Sequence, residues 1–326
     1  MTTTRSSKRS TLLSFHRPKL SLDEAPIPIL KPESKARTVS AELTASGLSR
    51  CLQNLLMYQQ AEQQMALPKS RCAAVLVALF VGRMGDLRAP TLRTFAGDTS
   101  LPGGKWEPQD RNMEGTARRE AFEEIGLPMD QHKVPLLCVL EPVLAGHNLI
   151  IIPVVVLILD VTIRPILNTA EVASLFSHPL ISLLHSNLPF LNERKMPELE
   201  YHTYSDTILS LGPQRLHRFL TGREVGGTKP IFGLTAGILI HVAIIGYGRA
   251  PDFELDAPGQ PSWNERIAYA LKHSPVFLEA MQKEGIDPSK IPDPSSFRNR
   301  VGVKNADGQS VSGETREQRW CAQSKL

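Results

Sequence analysis

Residues 119–127 of the 326-residue chain read REAFEEIGL, three glutamates beside one arginine in a helical pattern. Side chains three and four positions apart share a helical face, so Glu120, Glu123 and Glu124 project together. Converging carboxylates repel one another, which raises a pKa and weakens the helix unless a hard divalent ion sits among them. That chemistry belongs to a metal and diphosphate site holding Mg2+ or Mn2+. The plainer alternative is a solvated acidic face, common on amphipathic helices.

The elements around these residues must hold them in place. Ala117, Ala121 and Ile125 form an apolar stripe opposite the carboxylates, suited to packing on a sheet. Before the helix, residues 101–104, LPGG, let the backbone turn tightly and approach a ligand, with glycine carbonyls free to meet a metal. Gly126 supplies the C-terminal stop.

The whole segment resembles the Nudix box, G-x5-E-x7-R-E-U-x-E-E-x-G-U with U apolar, whose second half REAFEEIGL fills completely. Its first half departs from the pattern. The sixth residue after Gly104 is Asp110 rather than Glu, and eight residues rather than seven separate Asp110 from Arg119. Both departures resemble the coenzyme A diphosphatase branch, as do Gly103, Gly104, Lys105, Thr116 and Ala117. Three further stretches are similar to the same branch: residues 92–98 (LRTFAGD), the set Glu171, Val172, Phe176, Pro179 and Leu180, and residues 232–236 (FGLTA). Together they extend the resemblance over roughly residues 72–248.

The resemblance implies an α/β chain with the Nudix fold, a mixed β-sheet sandwiched between helices (α/β/α). Between Asp86-Leu87 and Leu92-Arg93, however, only Arg88, Ala89, Pro90 and Thr91 stand where the branch has a full strand with paired basic residues. One strand near residues 87–92 is therefore expected to be lacking, through a real deletion or an error in the gene model. The family also implies roles. Glu120, Glu123, Glu124 and the Gly104 carbonyl hold the metal, and Arg119 pairs with a glutamate to orient it. The catalytic set is Arg119, Glu120 and Glu124. Glu120 is the favoured general base, with Glu193, Glu198 and Glu200 as alternatives. Arg93 and Lys105 bind the nucleotide phosphates, unless they are solvated surface charges.

The expected reaction is metal-dependent hydrolysis of the diphosphate of coenzyme A or acyl-coenzyme A, giving adenosine 3',5'-bisphosphate and (acyl-)phosphopantetheine. The same metal helix could serve a pyrophosphatase acting on NADH or ADP-ribose. A missing strand would also fit a degenerate Nudix domain that only binds a nucleotide or partner.

Composition narrows the partners. The chain carries 37 basic and 33 acidic residues, net +4, without a basic stripe interleaved with aromatics, which argues against nucleic acid. Cys51, Cys72, Cys138 and Cys321 have no metal-ligand spacing and read as free thiols. The apolar run 149–159 contains Pro153 and is too short to span a membrane; it reads as a buried central strand or strand pair. The last three residues, Ser324, Lys325 and Leu326, form a peroxisomal address at a free C-terminus, with the import receptor as partner.

Three regions are expected. Residues 1–40 form a basic disordered tail, 41–250 the Nudix domain with a leading helix marked by Leu48, Leu52, Leu55 and Leu56, and 251–326 a linker, one amphipathic helix over 263–282 and a second disordered tail. Within the domain, 72–81, 134–140 and 149–159 read as strands. Residues 168–186 read as helical, 190–210 as a turn-rich hairpin and 235–245 as a buried helix whose His241 packs in the core.

Overall fold

The computed structural model describes residues 45–60, 65–82, 85–94, 98–146, 148–160, 162–187, 200–224, 227–297, 303–304 and 310–311. The expected tail 1–40 and the tripeptide 324–326 lie outside them, as does Cys321. The chain runs through α1 (Ala45–Met57), β1 (Cys72–Val81), β2 (Leu87–Thr94), β3 (Thr99–Ser100), β4 (Gly103–Lys105), α2 (Met113–Ile125), β5 (Leu136–Val139) and β6 (Val143–Ala145). It continues through β7 (Leu149–Leu157), β8 (Val172–Pro179), β9 (His202–Leu209), β10 (Gly212–Phe219), β11 (Ile231–Phe232), α3 (Gly233–Tyr247), α4 (Trp263–His273) and α5 (Pro275–Glu284).

β1 is apolar at every position, CAAVLVALFV, as a strand covered on both faces must be. It runs parallel to β7 from Cys72 opposite Ile150 to Leu79 opposite Leu157, and its other partners β2 and β4 are antiparallel. With β3, β5, β6 and β8 these make one eight-stranded mixed sheet. Side-chain alternation splits its two faces. Ala74, Leu76 and Ala78 of β1 and Val154 and Val156 of β7 meet Ala117, Ala121 and Ile125 of α2. Val77, Leu79, Val155 and Leu157 point the other way, into the cluster containing Leu55 of α1 and Leu239 of α3. The result is the expected helix–sheet–helix sandwich.

The strand expected to be lacking is present, because residues 87–94 themselves form β2. Its first residues pair with Phe80 and Val81, and its whole length pairs with β8 from Arg88 opposite Pro179 to Thr94 opposite Val172. Pro90, which has no N–H to donate, sits after β2 has left β1 and before it meets β3 at Leu92, with only Ser177 of β8 opposite it.

Three other local readings are corrected. Residues 168–186 are not a helix: Val172–Pro179 is β8, and only Leu180–Leu184 turns, as a short 3-10 helix. Pairing to β2 decided what an ambiguous apolar pattern could not. The hairpin lies at β9–β10 rather than 190–210, with His202 opposite Phe219; residues 190–199 are outside the described ones. The C-terminal helix is two helices, because Pro275 lacks an N–H and Ser274 before it is extended.

Neither the linker nor these helices stand apart from the domain. Ile267, Leu271, Phe277 and Met281 share a core cluster with Cys72, Ile150 and Ile152 of the sheet. Each such side chain contributes about 1.5–3 kcal/mol on burial. The Glu284 carboxylate accepts from the N–H groups of Lys69 and Ser70 at 2.7 and 2.9 Å, tying α5 to the start of β1. In the linker, Phe253 stacks on His202 with centroids 3.9 Å apart. His241, on α3, has a buried Nε2 with no hydrogen-bond partner among the described residues, and burial holds its pKa down to about 4. It is the packed histidine expected.

Candidate active site

Asn112 starts α2, its side chain accepting from the Gly115 N–H at 2.8 Å, and Gly126 ends it in the left-handed conformation at φ 67°. The apolar stripe fixes the helix's rotation on the sheet, so Glu120, Glu123 and Glu124 point away from the core. β4 is brought alongside by β1, with Gly103 opposite Val75 and Gly104 opposite Ala74. Both glycines answer close approach. A Cβ on Gly103 would lie 2.7 Å from the Val75 Cα, and one on Gly104 would overlap the Glu120 carboxylate.

Arg119 gathers the site. Its Nε and Nη2 donate to the two oxygens of Asp110 at 3.0 and 3.1 Å, its Nη1 donates to Glu120 and Glu123 at 3.0 and 3.2 Å, and Nη2 also reaches the Lys105 carbonyl at 3.0 Å. Asp110 further accepts from the Glu107 N–H at 3.0 Å and the Thr116 hydroxyl at 2.9 Å. Burial works against the Asp110 carboxylate, but these hydrogen bonds, chiefly from Arg119, hold its pKa below the usual range. The guanidinium pKa is raised in turn, first by Asp110. Asp110 is therefore a lock on Arg119, joining the turn after β4 to the helix.

Glu124 accepts from the Gly103 N–H at 3.0 Å. Burial nonetheless pushes its pKa up to about 7, the Gly103 bond working against the rise and the charges of Glu120, Glu171 and Glu123 adding to it. Glu120 is also raised, by burial first, with Arg119 opposing. Glu171, quoted above only as part of a resemblance, is thus a further acid facing the helix. Its distance in sequence hid it: the backbone places it there by the Asn168 N–H donating to the Glu124 carbonyl at 2.9 Å.

Among the described residues, no three His, Cys, Asp or Glu side chains converge as a preformed metal site. The donor chemistry nevertheless suits a hard divalent cation: carboxylate oxygens, with the Glu124 proton held near neutrality first by burial and then by the neighbouring carboxylate charges, which a cation would offset. Arg119, Glu120, Glu123, Glu124, Gly104 and the Lys105 backbone are brought together. Arg93 makes no hydrogen bond with that group; it lies on β2 between β3 and β8, and its Nε is buried with no partner among the described residues. The Lys105 side chain is exposed at the end of β4. Glu193 and Glu198 lie outside the described residues, and Glu200 is exposed beside His202 and Phe253, along a separate cleft.

A family profile described as the NUDIX domain matches residues 71–195. The Nudix hydrolase NudL of Yersinia pestis is 36% identical over 180 residues, covering 53% of this chain and 79% of that protein. The chain belongs to the Nudix hydrolase family. Nudix hydrolase 15, mitochondrial, of Arabidopsis thaliana is 38% identical over 197 residues, 58% of this chain and 64% of that one. Peroxisomal coenzyme A diphosphatase 1 of Saccharomyces cerevisiae is 49% identical over 69 residues, 19% of this chain and 20% of its own. The chain thus spans less than two thirds of either of these two relatives. In this Nudix domain, α2 is the Nudix helix, and the REAFEE carboxylates stand on its outward side.

Proposed function

We propose that this Nudix domain is a metal-dependent hydrolase that cleaves the diphosphate of coenzyme A or acyl-coenzyme A to adenosine 3',5'-bisphosphate and (acyl-)phosphopantetheine. The observation that carries the reading is the Arg119 network, which holds Glu120 and Glu123 beside Glu124, itself bonded to the Gly103 N–H of β4. The coenzyme A class draws on the boxed sequence and on the short but close match to the yeast diphosphatase.

Glu120, Glu123, Glu124 and the Gly104 carbonyl would hold Mg2+ or Mn2+, which when bound neutralises phosphate oxygens and lowers the pKa of the attacking water. Glu120 takes the proton of that water, its rotamer held by Arg119. The water oxygen bonds to one phosphorus as the bridging oxygen leaves with the other. Arg93 and Lys105 take the remaining phosphate charge, as the charge of the substrate requires. The closed β2 removes the motive for a non-catalytic reading.

Purified full-length protein with Mn2+ is expected to release adenosine 3',5'-bisphosphate from coenzyme A, and Glu124→Gln to lower kcat by about a hundredfold or more, as losing a charge-stabilising group in a transition state does. Rapid cleavage of NADH or ADP-ribose with coenzyme A untouched would reassign the substrate.

We place the enzyme in peroxisomes on the strength of Ser324, Lys325 and Leu326 and of the yeast relative's name, and its partner there is the import receptor. A fluorescent protein fused to the N-terminus is expected to become punctate and to turn diffuse when the three residues are removed. A diffuse signal with the tripeptide intact refutes the address.

A further inference from the structure

The α4 helix has two working faces. Ile267 and Leu271 lock it to the sheet, while Trp263, Arg266, Tyr269 and His273, at helical spacing, line a cavity of about 610 Å³. Leu144 of β6, Leu216 of β10 and Leu234 of α3 line it from the other sides. Its volume lies in the range of small-molecule sites, roughly 300–1,000 Å³.

One charged group enters this largely apolar space. Arg266 is only 4% exposed. Its Nη2 donates to the Pro213 carbonyl at 2.6 Å, and among the described residues it closes no ion pair. Glu265 and Asp256 act on it only through space. A buried cation with no directly bonded counter-ion keeps part of its desolvation cost, and that cost falls when an anion arrives with its own apolar body. A polyanion would bring more charge than one guanidinium can match. A carboxylate fits the planar fork of arginine, and an aliphatic chain fits the leucine and aromatic walls.

We infer that the cavity between α4, β6 and the β9–β10 hairpin is a binding site for a medium-chain aliphatic carboxylate, with Arg266 holding the head group. The site is separate from the Nudix helix and does not rest on the substrate proposed above.

Calorimetric titration of octanoate into the full-length protein tests this, with octanol as the uncharged chain of equal length. Octanoate is expected to bind, octanol at least about tenfold more weakly, and Arg266→Gln to weaken octanoate by a similar factor, as one lost charge-assisted hydrogen bond does. Arg266→Lys should retain part of the binding. Should Arg266→Gln fail to fold by circular dichroism, Leu216→Trp, which fills the cavity from β10, abolishes binding instead. No octanoate binding, equal affinity for octanol, or octanoate binding unchanged by Leu216→Trp overturns the assignment.

Discussion

Arg119→Ala is expected to destabilise the protein by about 2 kcal/mol, because removing one partner of a partly buried, doubly hydrogen-bonded pair strands the other. The stranded group is Asp110, whose side chain is 5% exposed and whose two oxygens both accept from Arg119. Glu120 and Glu123 lose their shared donor at the same moment, so the carboxylates spring apart by repulsion. Arg119→Lys should recover less than half of the loss, since an ammonium cannot supply two parallel bonds to Asp110 and a third to Glu120. Urea unfolding measures the change. A loss below about 1 kcal/mol, the usual worth of exposed ion pairs, would show that the network is a solvated surface feature.

Acidification is the second large effect. His178 is buried with its Nε2 sharing a hydrogen bond with the Tyr201 hydroxyl at 2.7 Å, and burial, then Arg88 and Arg223, holds its pKa down to about 3. Burial and then His217 hold His202 down to about 4. Both values lie below the ordinary histidine value of about 6.5, so between about pH 6.5 and 4 the unfolded chain binds more protons than the folded one. Their stabilising contribution is complete above about pH 6.5 and drains away as the pH falls, at about 1.4 kcal/mol per pH unit for each histidine. Glu124, raised to about 7, works in the opposite sense over part of this window. A single-site comparison removes that offset. His178→Gln, which keeps a hydrogen-bonding group toward Tyr201, should make the loss of stability between pH 6.5 and 5 shallower by about 1.4 kcal/mol per unit. Identical slopes in urea unfolding would contradict a neutral buried His178.

Much of the candidate site was readable because its chemistry is local. Glu120, Glu123 and Glu124, the Ala117–Ala121–Ile125 stripe and the Gly126 stop all depend on helical spacing or on a few neighbouring residues, and each stands where that spacing puts it. Gly103 and Gly104, by contrast, form strand β4 instead of the expected tight turn, their lack of a side chain serving close approach to β1 and Glu120. The uniformly apolar runs of β1 and β7 were equally plain, since a strand covered on both faces needs little else to be recognised.

Asp110 shows the limit of that legibility. Its type and position matched a motif, but its two-pronged hold on Arg119 depends on how the turn after β4 folds back over the helix. Glu171 is further from view, joining the acidic group only because the chain before β8 docks on the end of α2. The helical reading of 168–186 failed for a related reason. An apolar pattern of that length fits either period, and the choice was made by the hydrogen-bonding edge of β2.

Residues 87–94 went the other way. By motif alignment they were too few to supply a strand, yet the sheet recruited the adjoining LRT residues to complete one. Residue type at fixed short spacing was thus enough to read the family, the carboxylate face and the buried central strands. Long-range packing settled which residues close the sheet, which acids gather at Glu124, and that α4 and α5 pack on the sheet and bring Arg266 to a cavity. Those outcomes depend on contacts between segments far apart in the chain, where no spacing rule applies.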